Sequence, residues 1–331
     1  MNEIAQMATD ERTARIILAL GCEPGDELAA RFVAEHGAIG TVHQIAGGTT
    51  PDETVRVRDW REGVIRRLDL SEVSRVLLQT QELGLQTLIP SDPGWPTPAG
   101  DAAAQPLVLW MRGDPSVLAG RLPRVAVIGS REATDYGRNV TRFLATELAD
   151  RGVVVLTSGS HGIDTHATLG AASGGGHTIA VLPSGLDHPY PSNLSNLFRW
   201  IATDGGALVS ANPPGQPTNR AHARRRDRLV AAMADAVVVT ESGHHSPALK
   251  IAHDAVAMGR PIGAVPGEIY NPASAGTNEL LRQHVARMVT DATDIMNLLS
   301  APRPAAPPAE AAIGSAGRKP LTHGRPRPEG P

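Results

Sequence analysis

The sequence predicts an α/β protein built on a parallel sheet, with a smaller all-α module ahead of it. Between residues 122 and 215, β-branched apolar runs alternate with helical stretches of about a dozen residues. The runs are apolar throughout rather than at every second position, which marks strands covered on both faces. Each run also ends in a glycine-rich loop, and sheets of this class bind ligands at the carboxyl ends of their strands.

Taken in order, residues 9 to 69 read as helices. Apolar residues fall at helical spacing over Glu11 to Leu20, Asp26 to Glu35 and Val42 to Ile45, with breaks at Pro24-Gly25 and Gly47-Gly-Thr-Thr-Pro51. Short helices joined by glycine turns suit a sterile-alpha-motif or helix-hairpin-helix module over residues 1–85. Such modules can grip a DNA backbone, but residues 1–100 carry nine arginines against fifteen acids, which favours an acidic docking module. From Gln86 to Pro115 the proline and glycine density indicates a lead-in loop, with Leu107 to Met111 as a strand on the sheet edge.

Val125 to Ile128, Val153 to Leu156 and His177 to Leu182 are the first three strands of the main sheet. Ala207 to Ser210, Ala236 to Thr240, Ile262 to Val265 and Arg287 to Thr290 continue it, separated by helices such as Arg226 to Met233 and Ala248 to Met258. About seven parallel strands make residues 86–300 an extended Rossmann-like domain. From Ala301 the composition turns to Pro, Ala, Gly and Arg, the signature of a disordered basic tail over residues 301–331.

Composition narrows the class further. Cys22 is the one cysteine in 331 residues, which excludes a disulfide framework or a cysteine zinc site within this chain. The first residues carry acids and no basic n-region, and no apolar run reaches membrane-span length, so a cytoplasmic protein is expected. A net charge of -3 argues against a general nucleic-acid sponge. Any anion site must be local.

The sharpest local signal is Arg220-Ala-His-Ala-Arg-Arg-Arg-Asp-Arg228, five arginines in nine residues near a helix start. Helix N-termini already favour anions, so with Arg131 after Gly129-Ser130 these guanidiniums suit phosphate oxygens better than a merely solvated face paired with Asp227. Gly129 to Gly137 lacks Gly-x-Gly-x-x-Gly, and no phosphate loop of the Gly-x-x-x-x-Gly-Lys-Ser/Thr kind occurs. His161, Asp164 and His166 crowd one loop without a familiar metal spacing, and Asp164 suits capping or loop orientation better. No residue stands out as catalytic, and no cofactor is indicated.

These residues carry a family resemblance. Val127-Ile-Gly-Ser-Arg131 with Tyr136-Gly137, Ser158-Gly-Ser-His-Gly-Ile-Asp164, Gly185-Leu-Asp187 with Tyr190-Pro191, Pro213-Pro-Gly215, Arg225-Arg-Asp-Arg228, Val265-Pro-Gly267 and Gly276-Thr-Asn278 occur in one order over some two hundred residues. In that order the chain resembles the DprA (Smf) family of DNA-processing proteins, single-strand DNA binders that load RecA during natural transformation. The resemblance implies that Arg131, Arg225, Arg226 and Arg228 grip phosphates, with Gly129 and Ser130 allowing close backbone approach. It also implies a homodimer, a RecA-type partner and no catalytic turnover. The full candidate DNA-binding set is Gly129, Ser130, Arg131, Ser158, Gly159, Arg224, Arg225, Arg226, Arg228, Ser246, Lys250, Gly276, Thr277 and Asn278.

Departures from the family pattern carry their own expectations. The family's Phe-x-x-Arg-Asn-Arg is Ala223-Arg-Arg-Arg-Asp-Arg228 here, so a stacking aromatic worth about 1 to 3 kcal/mol per base is missing. Ser246-Pro-Ala-Leu249 replaces a flexible glycine turn with a stiffer one, and Ala211-Asn-Pro-Pro-Gly215 has lost an acid. No winged-helix pattern follows Ala301, and the basic tail stands in its place. The rival reading is a nucleotide-binding or phosphoribohydrolase-type enzyme, whose Pro-Gly-Gly-x-Gly-Thr-x-x-Glu loop is echoed by Pro266-Gly267 and Gly276-Thr-Asn-Glu279.

Overall fold

The computed structural model describes residues 1–22, 25–48, 54–96, 105–120 and 122–301. The tail expected beyond residue 301 lies outside these. Five helices open the chain: α1 (Asn2–Met7), α2 (Glu11–Gly21), α3 (Glu27–Gly47), α4 (Val55–Arg67) and α5 (Leu70–Glu82). Asp10, Asp26, Thr54 and Asp69 cap the last four, each accepting a first-turn backbone N–H. The stretches 26–35 and 42–45, separate in the sequence reading, belong to the one helix α3, kinked where Gly37 takes a φ of 70°. Helical structure also continues past Asp69 into α5, whose Val73 and Val76 are buried. Ile4, Ile17, Leu18, Val42, Val64 and Val73 share one core.

β1 (Gln86–Leu88), β2 (Leu109–Gly113) and the short α6 (Ser116–Ala119) lead into the main sheet. Then come β3 (Arg124–Gly129), α7 (Asp135–Asp150), β4 (Val154–Thr157), α8 (Ile163–Ser173), β5 (Thr178–Leu182), α9 (Ser195–Thr203) and β6 (Ala207–Ser210). They are followed by α10 (Arg220–Met233), β7 (Ala236–Glu241), α11 (Pro247–Ala257), β8 (Ile262–Ala264), α12 (Ala275–Arg282), β9 (Arg287–Met288) and α13 (Ala292–Ser300). The nine strands are ordered β1-β2-β6-β5-β4-β3-β7-β8-β9. β3 to β9 pair in parallel, as expected, whereas β2 is antiparallel to both of its neighbours. The strand expected on the edge is therefore internal: β2 lies between β6 and β1, because β1 adds a short outer strand from the lead-in segment.

Alternation sorts the side chains of β3 onto two faces. Ala126 and Ile128 pack with Leu229 and Val230 of α10 and Ile251 of α11, while Val125 and Val127 pack with Leu144 of α7, Ala171 of α8 and Ile295 of α13. At the far end of the sheet, Ile16 of α2 and Val76 of α5 join Trp110, Leu182 and Phe198 in a further cluster. The guanidinium of Arg12 meets both oxygens of Asp92, at 2.8 and 2.9 Å. Among the described residues no helix is long and apolar enough to cross a membrane.

The chain runs outward from β3 through β4, β5 and β6, then returns to β7 on the other side of β3. The carboxyl ends of β3 and β7 thus flank the topological switch point, where sheets of this class open a crevice for ligands.

Candidate nucleic-acid interface

Backbone contacts lock the switch point. Ser130 N donates to Glu241 O at 2.8 Å and Ile163 N donates to Ser130 O at 3.0 Å, which ties the loops after β3, β4 and β7 together. Gly129 is required by this closeness, since a Cβ there would meet Glu241 O at 2.5 Å. At Gly162, with φ of 69°, any side chain would strike the backbone of Ser130 and Arg131. Glu241 is 1% exposed and accepts from Thr134 N at 2.8 Å and from Thr134 Oγ1, fixing the start of α7. Sequence reasoning does not single out Glu241. Its only signal is an acid closing an otherwise apolar strand.

The loop after β4 is folded inward around Asp164. This carboxylate accepts from Ser158 N at 2.8 Å, Ser160 N at 3.3 Å and Ser158 Oγ, so it orients the loop as expected. Burial pushes its carboxyl above the ordinary value, opposed by those donors and by the charge of Arg226. Ser158 and Gly159 are buried as a result, with little surface for a strand.

Arg226 is where the structure departs most from the sequence reading. It is 5% exposed, as is Asp227. Its Nε donates to Asp227 Oδ1 at 2.8 Å, and its Nη1 donates to Ser158 O. The guanidinium expected on a phosphate is here a strut between α10 and the β4 loop. α10 itself begins at Arg220, so the arginines lie within the helix rather than leading into it, and the N-cap Asn219 accepts from His222 N at 2.8 Å.

Four of the expected cations, Arg131, Arg224, Arg228 and Lys250, are exposed. Arg224 and Arg228 stand four residues apart on one face of α10. Burial raises the carboxyl of Asp227, against the charges of Arg226, Lys250 and Arg131. Burial likewise raises Asp254, against Lys250 and Arg228. Arg131 on the β3 loop, Arg228 on α10 and Lys250 on α11 therefore act on one neighbourhood and converge beside the switch point. Arg225 turns elsewhere. Its Nη1 donates to Asn212 Oδ1 at 3.2 Å, beside a cavity of about 220 Å³ that Arg67 and His222 also line.

The remaining expected residues brace loops. Ser246 caps α11 through Ala248 N at 3.3 Å, and Pro247 occupies the first turn, where its missing N–H has no helical partner to lose. Gly276 N donates to Ser242 O at 2.6 Å. Thr277 is buried, its Oγ1 donating to Ser274 O at 2.9 Å. Asn278 holds both backbone groups of Gly267, accepting from N and donating to O at 3.0 Å each. Glu279, the acid of the rival enzyme reading, is engaged by Arg282 at 2.5 Å.

A largely parallel sheet with helices on both faces and exposed cations beside its switch point defines a Rossmann-like protein. Residues 86–300 match the family model of DNA recombination-mediator protein A. The putative DNA processing protein DprA of Mycobacterium tuberculosis (strain ATCC 25618 / H37Rv) is 37% identical over 289 residues, covering 84% of this chain and 72% of that protein. The DNA processing protein DprA of Bacillus subtilis (strain 168) is 29% identical over 229 residues, covering 69% of this chain and 76% of its own. Among solved structures, DNA processing protein A of Streptococcus pneumoniae superposes with a TM-score of 0.70 at 25% identity, over 85% of this chain and 95% of that one. The Helicobacter pylori protein, described for its single-stranded DNA binding mode, gives 0.58 at 29% identity, over 65% of this chain and 95% of that one. The chain belongs to the DNA recombination-mediator protein A family.

Proposed function

We propose that this protein binds single-stranded DNA at the carboxyl edge of its sheet and passes the coated strand to a RecA-type recombinase. Arg131, Arg224, Arg228 and Lys250 neutralise successive phosphates, and Gly129 and Ser130 let the backbone approach. Arg226 holds the β4 loop in shape behind them. The observation that carries this reading is the convergence of exposed cations from the β3 loop, α10 and α11 beside the switch point, on elements with a packed core beneath them. The single-strand binding described for the Helicobacter pylori relative supports it. In this reading the protein is a cytoplasmic homodimer that protects single strands during recombination after DNA uptake, without turnover. Residues 1–85 form its helical docking domain and 86–300 its DNA-binding domain.

The test is a double charge reversal, Arg224→Glu with Arg228→Glu, assayed by band shift on an oligo-dT strand and by RecA filament assembly on a coated strand. Loss of both activities with an unchanged circular dichroism spectrum is expected. Binding that survives the reversal would remove α10 from the site. Retained binding with no effect on filament assembly, in either protein, would refute the recombinase step alone.

A further inference from the structure

Position 223, where the related motif carries an aromatic, is alanine, so α10 carries no Phe, Tyr or Trp to stack on a base. Across the switch point, Ile269 and Tyr270 are 82% and 89% exposed, more than any other large hydrophobic side chain among the described residues. Tyr270 makes no hydrogen bond or ring contact among those residues. Exposing an adjacent aliphatic and aromatic pair forgoes burial, which marks such a tip as a contact surface.

The loop that displays the pair is braced. Asn278 bonds both backbone groups of Gly267, Asn271 N donates to Glu268 O at 3.1 Å, and Asn271 Oδ1 accepts from Ala273 N at 3.0 Å. The two ends of this segment are tied to the start of α7 and to the loop after β7. Tyr136 OH, a few residues beyond Arg131, donates to Pro266 O at 2.7 Å. On the other side Gly276 N donates to Ser242 O at 2.6 Å, in the loop that leads to Lys250. A single strand whose phosphates lie on cations leaves its bases free, and every base has a face that an aromatic ring can cover.

We propose that the Ile269–Tyr270 tip is the base-stacking subsite for the strand whose phosphates Arg131 and Lys250 hold. This rests on the single-strand reading above. It places the aromatic contribution on the loop after β8 instead of on α10.

The experiment compares a fluorescent oligo-dT strand with an abasic strand of equal length and charge, titrated by anisotropy into the full chain and its Tyr270→Ala and Tyr270→Phe variants. The wild-type protein should prefer oligo-dT. Tyr270→Ala should lose about fivefold to a hundredfold in affinity for oligo-dT, with its affinity for the abasic strand unchanged, and Tyr270→Phe should keep wild-type affinity. Wild-type affinity for oligo-dT in Tyr270→Ala would overturn the inference, and a changed sedimentation coefficient in that variant would assign the tip to a protein contact instead. If the wild-type protein bound neither strand, the single-strand reading itself would fail and this subsite with it.

Discussion

Arg226 and Asp227, adjacent in sequence, are ion-paired at 2.8 Å and both 5% exposed, inside a helix whose Arg224 and Arg228 face solvent. One run of arginine thus holds two kinds of residue. The buried one ties α10 to the β4 loop through Ser158 O, and the exposed ones are available to a ligand.

Arg226→Ala is expected to cost about 3 kcal/mol of stability, because it leaves a buried carboxyl without its cation. Arg224→Ala and Arg228→Ala should stay within about 0.5 kcal/mol of wild type. Urea denaturation of the three variants checks this, and equal stability in all three would contradict the strut.

Each exposed cation that meets a phosphate releases counterions, so removing it flattens the salt dependence. Arg131→Ala and Lys250→Ala should each lower the slope of log affinity against log salt by about 0.7 for a single strand. Titrations at four salt concentrations measure it.

Asp227 sets a negative charge behind the cations Arg131 and Lys250. Asp227→Asn keeps a hydrogen-bond acceptor for Arg226 and should tighten single-strand binding about threefold, with the gain fading at high salt. Burial raises the Asp227 carboxyl above its ordinary 3.8, so the native state holds that proton longer than the unfolded chain does. Its contribution to stability therefore falls as pH rises from that value through the raised one, and this part of the pH profile should vanish in Asp227→Asn.

Arg12 and Asp92 give the opposite sign. The Arg12 hydrogen bonds hold the Asp92 carboxyl below its ordinary 3.8, so their contribution is present above that pH and is lost as pH falls through the lowered value. Both groups are partly exposed, so Asp92→Asn should cost about 1 kcal/mol or less at neutral pH. Its loss of stability relative to wild type should disappear in acid, as unfolding at several pH values would show.

Six of the seven parallel strands are legible in the sequence because they are short, largely apolar runs buried on both faces, whereas β9, Arg287–Met288, is exposed and takes its place only by pairing with β8. The place of β2 is not legible, since its partners β1 and β6 are set by pairing with distant residues. The burial of Arg226 had a usable signal. It stands three, four and seven residues before Leu229, Val230 and Met233, on the stripe that α10 turns to the sheet, whereas Arg224 and Arg228 fall off it. Glu241 had almost none, because its partner Thr134 is fixed only when β7 returns beside β3. The sequence reading expects Gly276 to Asn278 among the site residues, and in the structure their hydrogen bonds hold neighbouring loops.

The central claim is that the switch-point cations hold a single strand. It is tested most directly by titrating a fluorescent oligo-dT strand with the protein at several salt concentrations, against the same strand in duplex. The account predicts tight binding that prefers the single strand and weakens steeply with salt, as four phosphate contacts require, with a slope near -3 by about 0.7 per contact. Binding that is absent, indifferent to strandedness or insensitive to salt would contradict it.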